Sequence, residues 1–348
     1  MKRNIYLKTI PPAEAVARVK ASIDREALIR EETIPSHEAS GRVLAHAVHA
    51  RYSSPTFHSA AMDGYAVNAR STFAAREGHP LTLKAGETCF AVNTGHPMPE
   101  GCDAVIMIEQ VVLDGGSVTI EAPAFPWQHV RRIGEDIVAT ELLFPRNHQL
   151  RPWDVGALLS GGIWDVPVWE RVTVRIIPTG DEVLDFTTHP DPGKGQVVES
   201  NSQMLAALAR ELGCVVERAA PVPDNPEALH QALKDSLDAG RHLTIFCAGS
   251  SAGSKDFTRA TLEKEGEILT HGIAAMPGKP SLLANCRGRL VAGAPGYPVS
   301  ALVCFKELLE PLISWLSHRE PPAKTVVPVE LTRTVPSRPG VEEHVRVS

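Results

Sequence analysis

The stretch Val172-Thr-Val-Arg-Ile-Ile-Pro-Thr-Gly-Asp-Glu182 decides the fold. Val172 to Ile177 reads as a buried strand, and Pro178-Thr-Gly-Asp-Glu182 turns sharply straight after it, carrying two carboxylates. The rhythm continues downstream. Asn201 to Leu212 reads as a helix with Met204, Leu205, Leu208 and Leu212 on one face, Ser200 or Asn201 as its cap and Gly213 as its end. Val215-Val216 begins a second strand, Pro226 to Leu237 is a second helix, and Leu243-Thr-Ile-Phe-Cys247 is a third strand. Phe257 to Glu265 reads as a helix, Arg289-Leu-Val-Ala-Gly293 as a further strand, and Val299 to Trp315 as a closing helix. Strands alternating with helices of this length imply βαβ units and a parallel sheet, an α/β fold.

Upstream the texture differs. Pro11 to Ile23 reads as a helix, with proline at its start and Ala15, Val16, Val19 and Ile23 in one stripe. Residues 51–140 carry short alternating runs, such as Leu81-Thr-Leu-Lys84 and Ser117-Val-Thr-Ile-Glu121, between Gly, Pro and Asp turns. That is the pattern of a small β-rich domain. Arg151 to Ser160 is helical again, with Gly161-Gly162 as its stop. His318-Arg-Glu-Pro-Pro-Ala-Lys324 is a linker, after which Val326 to Leu331 and Val341 to Val347 read as two strands.

With 348 residues, the chain is long enough for two or three domains. It is 43% apolar and 22% charged, as expected of a soluble globular protein. A net charge of −6 gives no overall drive toward nucleic acid or anionic lipid. No apolar run reaches the roughly 18 residues of a membrane span. The N-terminus lacks the apolar segment of a secretory signal, so a cytoplasmic location is expected. The six cysteines are scattered without a CxxC pair and read as reduced core thiols; the 14 histidines show no ligand spacing.

The chemistry collects where strands end. Thr179-Gly-Asp-Glu182 alone would pass for a helix cap. Ala248-Gly-Ser-Ser-Ala-Gly-Ser-Lys-Asp256 also follows a strand; its glycines let backbone N–H groups approach a phosphate, and Ser250, Ser251 and Ser254 add hydroxyls. Pro295-Gly-Tyr-Pro-Val-Ser300 is a rigid strand-to-helix turn. Loops from one parallel sheet converge at its carboxyl edge. They would bring Asp181, Glu182 and Asp256 together with glycine N–H groups, and Asp224 in Val222-Pro-Asp-Asn225 would join them. Carboxylates beside a phosphate cradle suit Mg²⁺, which would act as a Lewis acid on a phosphoryl group. Lys279 in Met276-Pro-Gly-Lys-Pro280 supplies positive charge.

Six motifs then occur in order. They are Ser59 with Met62-Asp-Gly-Tyr-Ala66, Thr94-Gly-His-Pro-Met-Pro-Glu-Gly-Cys-Asp-Ala-Val105, Arg132-Ile-Gly-Glu-Asp-Ile137, Pro178-Thr-Gly-Asp-Glu182, Pro277-Gly-Lys-Pro280 and Pro295-Gly-Tyr-Pro-Val-Ser-Ala301. Together they resemble the molybdopterin molybdenumtransferase family (MoeA-type, related to the gephyrin E domain) over nearly the whole chain. Trp127-Gln-His-Val130 and Ala248-Gly-Ser-Ser-Ala-Gly253 resemble the branch fused to a LysR-type substrate-binding domain.

The resemblance implies a homodimer. It implies a discontinuous helical linker domain (1–50 and 141–170), an inserted β-rich domain (51–140), a molybdopterin-binding, adenylyltransferase-like α/β domain (171–322) and the start of a C-terminal β domain (323–348). It also implies an activity: adenylylated molybdopterin and molybdate enter, Mg²⁺-dependent hydrolysis releases AMP, and the dithiolene takes up molybdenum. Glu182, Asp224 and Asp256 would hold metal or phosphate. Asp63, Thr94 and Asp136 would face the partner's site. Thr179, Gly180, Gly249, Ser250, Ser251, Gly253, Lys279, Gly296 and Ser300 would shape the substrate pocket.

Two departures stand out. The family commonly has a lysine directly before Pro-Gly-Lys-Pro, where this chain has Met276, and a second basic residue where it has Gly272. A methionine offers an oxyanion no charge-assisted hydrogen bond. The C-terminal β domain is expected to be incomplete, with Arg346 a candidate from it. Two rival readings follow: a non-catalytic pterin- or oxyanion-binding sensor or scaffold, and a nucleotidyltransferase that makes the adenylylated pterin.

Overall fold

Thr173–Pro178 is a strand, and the elements around the site are organised from it. The computed structural model describes residues 9–247, 257–330, 332–335 and 337–345. Thr173–Pro178 pairs in parallel with Val215–Arg218 on one side, Val174 opposite Val216. On the other side it pairs in parallel with Leu243–Cys247, Ile176 opposite Ile245. Arg289–Ala294 lies beyond, also parallel. Side chains alternate along these strands. Ile176, Ile245 and Ala292 share one face and are fully buried. Ile177 and Phe246 share the other, packed in one core with Leu229, Leu233 and Leu237 of the Pro226–Asp238 helix and Leu262 of the Phe257–Glu265 helix. The Asn201–Glu211 helix covers Thr173–Pro178 and Val215–Arg218, with Leu205, Ala206 and Ala209 buried. Leu243–Cys247 is buried at every residue, which is why its sequence does not alternate.

The sheet is mixed rather than wholly parallel. Gly266–His271 and Leu282–Cys286, two strands absent from the sequence reading, extend the sheet antiparallel beyond Arg289–Ala294 to a total of six. Leu282–Cys286 and Arg289–Ala294 need only the two-residue turn Arg287-Gly288, both at positive φ (52° and 78°), to form a hairpin. The closing helix runs as Pro298–Cys304, a π-helical Phe305–Leu309 and Glu310–Leu316. The strand expected from Val326 is not there: residues 326–330 pair with no strand, and Val326, Val327 and Val329 stand exposed. Of the last expected strand, Glu342–Glu343 pairs in parallel with Ala275–Met276.

The chain forms two compact units, Thr33–Pro167 and the remainder, Met1–Glu32 with Val168–Ser348. In the first, Gly64–Val67 runs antiparallel between Cys89–Val92 and Ala104–Met107, and Ser117–Ile120 between Leu81–Lys84 and Val111–Asp114. Val67, Leu83, Cys89, Ile106, Val118 and Ile120 pack in a common core. Gly64 has a packing reason, since a Cβ there would overlap the Ile106 carbonyl. The Pro152–Ser160 helix starts on Asp154, whose buried Oδ2 accepts the Arg151 N–H and meets His148 Nε2, each at 2.8 Å.

All six cysteines are free thiols and five are buried; burial pushes Cys214 and Cys286 up to about 12 and Cys304 to about 11. Among the described residues no helix is long and apolar enough to cross a membrane.

Candidate functional site

From Thr173–Pro178 the chain goes first to Val215–Arg218 on one side of it, then to Leu243–Cys247 on the other. Where strand order reverses in this way, the connections part and leave a crevice outside the carboxyl ends. A cavity of about 680 Å³ lies there, within the usual span of small-molecule sites. Thr179 and Glu182 reach it from the turn after Thr173–Pro178, Cys247 from the end of Leu243–Cys247, and the Pro295-to-Ser300 turn from Arg289–Ala294.

Thr179 is held to the neighbouring strand twice, its N–H and hydroxyl donating to the Cys247 carbonyl at 3.0 and 2.8 Å. Gly180 follows at φ 134°, and a Cβ there would lie 2.9 Å from Glu182 Oε1. Glycine therefore lets the exposed Glu182 carboxylate fold back over the turn. Asp181 Oδ1 accepts the Asp224 N–H at 3.0 Å and draws the second acidic turn alongside.

Of the expected site residues, Thr179, Glu182, Lys279, Gly296 and Ser300 line the cavity; Gly180 and Asp224 adjoin it through the turn but do not line it. Lys279 is exposed and has no carboxylate partner among the described residues. Met276, 39% exposed, also lines the cavity. Gly249, Ser250, Ser251, Gly253, Asp256 and Arg346 lie outside the described residues. Asp63, Thr94 and Asp136 belong to the Thr33–Pro167 unit. There Asp63 Oδ1 accepts the Thr94 N–H at 2.6 Å and its hydroxyl at 3.0 Å; these two bonds hold Asp63 below the usual carboxylate range. Asp136 is anchored by its N–H to the Ser54 carbonyl at 3.0 Å.

The sequence reading missed one wall of the cavity, Val197 to Asn201. By sequence, Ser200 or Asn201 caps the helix that follows. Ser200 does hold the cap position but makes no capping bond. Buried Glu199 does so instead, accepting the Ser202 N–H at 2.7 Å and its hydroxyl at 2.5 Å. Arg218 answers the charge at 3.4 Å, reaches Asp185 at 3.3 Å and lies over Phe186, 4.6 Å from the ring centre. This network ties down the segment between Glu182 and Ser202. The polar run Glu199-Ser200-Asn201 was the available signal, but capping explained it fully at the level of sequence.

Among the described residues no three acidic, His or Cys side chains gather as a metal site. Mg²⁺ is commonly held by one or two carboxylates together with substrate phosphates. Glu182 lines the cavity with a carboxylate of the kind that requirement names, and Asp224 stands on the adjoining turn.

Comparison with known proteins covers most of the chain. The family model described as the MoeA N-terminal region (domain I and II) matches residues 10–162. That of a probable molybdopterin binding domain matches residues 175–315. The molybdopterin molybdenumtransferase of Haemophilus influenzae is 34% identical over 309 residues, 83% of this chain and 74% of that protein. Molybdopterin molybdenumtransferase 2 of Mycobacterium tuberculosis is 34% identical over 308 residues, 81% of this chain and 74% of that protein. The solved structure of the molybdopterin biosynthesis MoeA protein of Pyrococcus horikoshii superposes with a TM-score of 0.76 at 29% identity, covering 90% of this chain and 81% of that one.

Proposed function

This chain belongs to the molybdopterin molybdenumtransferase family, and on that premise we propose that it acts in molybdenum cofactor biosynthesis. It takes adenylylated molybdopterin and molybdate, releases AMP, and leaves molybdenum on the dithiolene. The observation that carries the reading is the cavity of small-molecule size at the reversal of strand order, which Glu182 and Lys279 both line. Glu182, Asp224 and Asp256 would hold Mg²⁺, which when bound stabilises charge on the phosphoryl group. Thr179, tied to Cys247, fixes the turn that aims Glu182. Lys279, with no carboxylate partner among the described residues, directs its positive charge at an anionic substrate.

We read the chain as a homodimer in which Asp63, Thr94 and Asp136 complete the partner's site. We also keep the division into a linker domain (1–50 and 141–170), a β-rich domain (51–140), an α/β domain (171–322) and the start of a C-terminal β domain. The ordered motifs support that division.

AMP release from adenylylated molybdopterin with Mg²⁺ and molybdate tests the proposal. Glu182→Gln should lower kcat on the order of 100-fold, the loss typical when a preorganised charge-stabilising group goes. Normal turnover by that variant would remove Glu182 from the mechanism. Met276 favours one rival, a pterin-binding sensor; that reading predicts tight binding with no AMP release.

A further inference from the structure

We propose that Arg218, which does not itself line the cavity, is a positioning residue for Glu182: it clamps both exits of the short ladder into which that carboxylate's backbone is built. This deepens the functional reading above and rests on it. Glu182 leads directly into Val183–Leu184, which pairs in parallel with Val197–Val198. The Val197 N–H donates to the Glu182 carbonyl and the Glu199 N–H to the Leu184 carbonyl, each at 2.9 Å. The ladder is also cavity wall, with Glu182 and Val183 on one side of it and Val197 to Ser200 on the other.

Such a ladder does not hold itself. Two paired strands without a core are marginal in water. Each strand here is two residues long, and no residue from Val183 to Val198 is buried. Arg218 ends Val215–Arg218, the edge strand of the main sheet. Its Nη2 reaches Asp185 Oδ1 at 3.3 Å and Glu199 Oε2 at 3.4 Å. Asp185 follows Leu184 and Glu199 follows Val198, so one guanidinium joins the two strands where they leave the ladder. Its Nε donates to Ser202 Oγ at 2.9 Å, which adds the start of the next helix to the clamp. The Arg218 and Glu199 side chains are 15% and 3% exposed, so water competes little for these bonds. Two carboxylates and a hydroxyl suit a rigid, planar fork of donors better than an ammonium on a flexible stem.

The consequence at the cavity is selective. Lys279 follows Ala275–Met276 and Gly296 follows Arg289–Ala294, and Arg218 bonds to neither loop among the described residues. A slipped ladder therefore misplaces Glu182 and leaves the charge of Lys279 where it is. A misplacement of about 1 Å can cost on the order of 100-fold in rate.

A mutant cycle of Arg218→Lys, Glu182→Gln and the double variant in the full chain tests this. It is read twice, as kcat for AMP release and as Mn²⁺ affinity by calorimetry with AMP present. Arg218→Lys should lower kcat about tenfold or more and leave the KM for molybdate within about twofold. It should raise the Mn²⁺ Kd about threefold or more, since a metal ion is held only by well-placed oxygens. In the Glu182→Gln background it should change neither quantity further, because the group it positions is gone.

Equal losses in both backgrounds, as a general loss of folded protein would give, would overturn the inference. So would unchanged kcat and Mn²⁺ affinity in Arg218→Lys. If that variant does not fold, Asp185→Asn takes its place in the same cycle, since it keeps an acceptor for the Thr187 N–H and removes one charge that Arg218 holds. No AMP release by the unaltered chain rejects the transferase reading, and the Mn²⁺ cycle then decides on Arg218 by itself. No Mn²⁺ binding at millimolar concentration in that case rejects the positioning role too. AMP release with equal losses in both backgrounds rejects the role of Arg218 alone.

Discussion

Met276 lines the cavity three residues before Lys279, at a position where a cation would meet an oxyanion. Its thioether is a weak acceptor and donates nothing. A charge-assisted hydrogen bond to an oxyanion contributes roughly 1.5–3 kcal/mol. Met276→Lys should therefore lower the KM for molybdate about tenfold or more in the AMP-release assay. An unchanged KM would mean that Lys279 already saturates the oxyanion contact. At this scale the sequence was informative about Glu182, Lys279, Gly296 and Ser300, because each sits in a strand-end turn. It was silent on Asn201, since an Asn at the start of a helix is explained equally well by capping.

The segment between Glu182 and Ser202 shows what an element depends on when it lacks a core of its own. Among the described residues its short strands Val183–Leu184 and Val197–Val198 pair only with each other, and Val197 and Val198 are 52% and 38% exposed. The pair of buried Glu199 and half-buried Arg218 anchors it to the sheet. Removing one partner of such a pair leaves the other charged and buried, a loss of about 3–5 kcal/mol. Arg218→Met should lower unfolding free energy by that order in urea titration. A loss below about 1 kcal/mol would show that Glu199 takes on a proton or finds water instead.

In the Thr33–Pro167 unit the start of the Pro152–Ser160 helix depends on protonation state. Burial pushes the Asp154 carboxyl up, but the Arg151 N–H and His148 together outweigh it and hold it below the ordinary value. A depressed carboxylate stabilises fully above its unfolded pKa, about 3.9, and that contribution is lost as pH falls through the folded value. Asp154→Asn should melt below the parent chain at pH 6, and the gap should shrink below about pH 4. A gap constant from pH 6 to pH 3 would contradict this.

For the whole molecule, the prediction concerns the metal. The two acidic turns, Pro178 to Glu182 and Val222 to Asn225, are joined by protein hydrogen bonds: the Asp224 N–H donates to Asp181 Oδ1, the Gly180 N–H to the Val222 carbonyl and the Val222 N–H to the Pro178 carbonyl. Chelation should therefore abolish AMP release, with activity restored by Mg²⁺, while leaving the thermal unfolding temperature within about 2 °C. A large fall in melting temperature on chelation would mean that the ion is also structural.

The sequence by itself determined the four parallel strands of the sheet and the helices that cover them. Buried strands such as Leu243–Cys247 announce themselves as apolar runs, and amphipathic helices by their spacing. It also located the turns that carry charge, since glycine and proline mark them regardless of what lies far away in the chain. Only the tertiary structure decided the antiparallel extension, because Gly266–His271 is a strand by virtue of its partner Leu282–Cys286. The same holds for Val326 to Glu330, whose β-branched residues form no strand without a neighbour to bond. Tertiary structure likewise decided that Glu199 caps, that Ser200 does not, and that Asn201 donates to Gly296, 95 positions away. A hydrogen bond depends on where two groups come to lie in space, and the local spacing of residues does not carry that information.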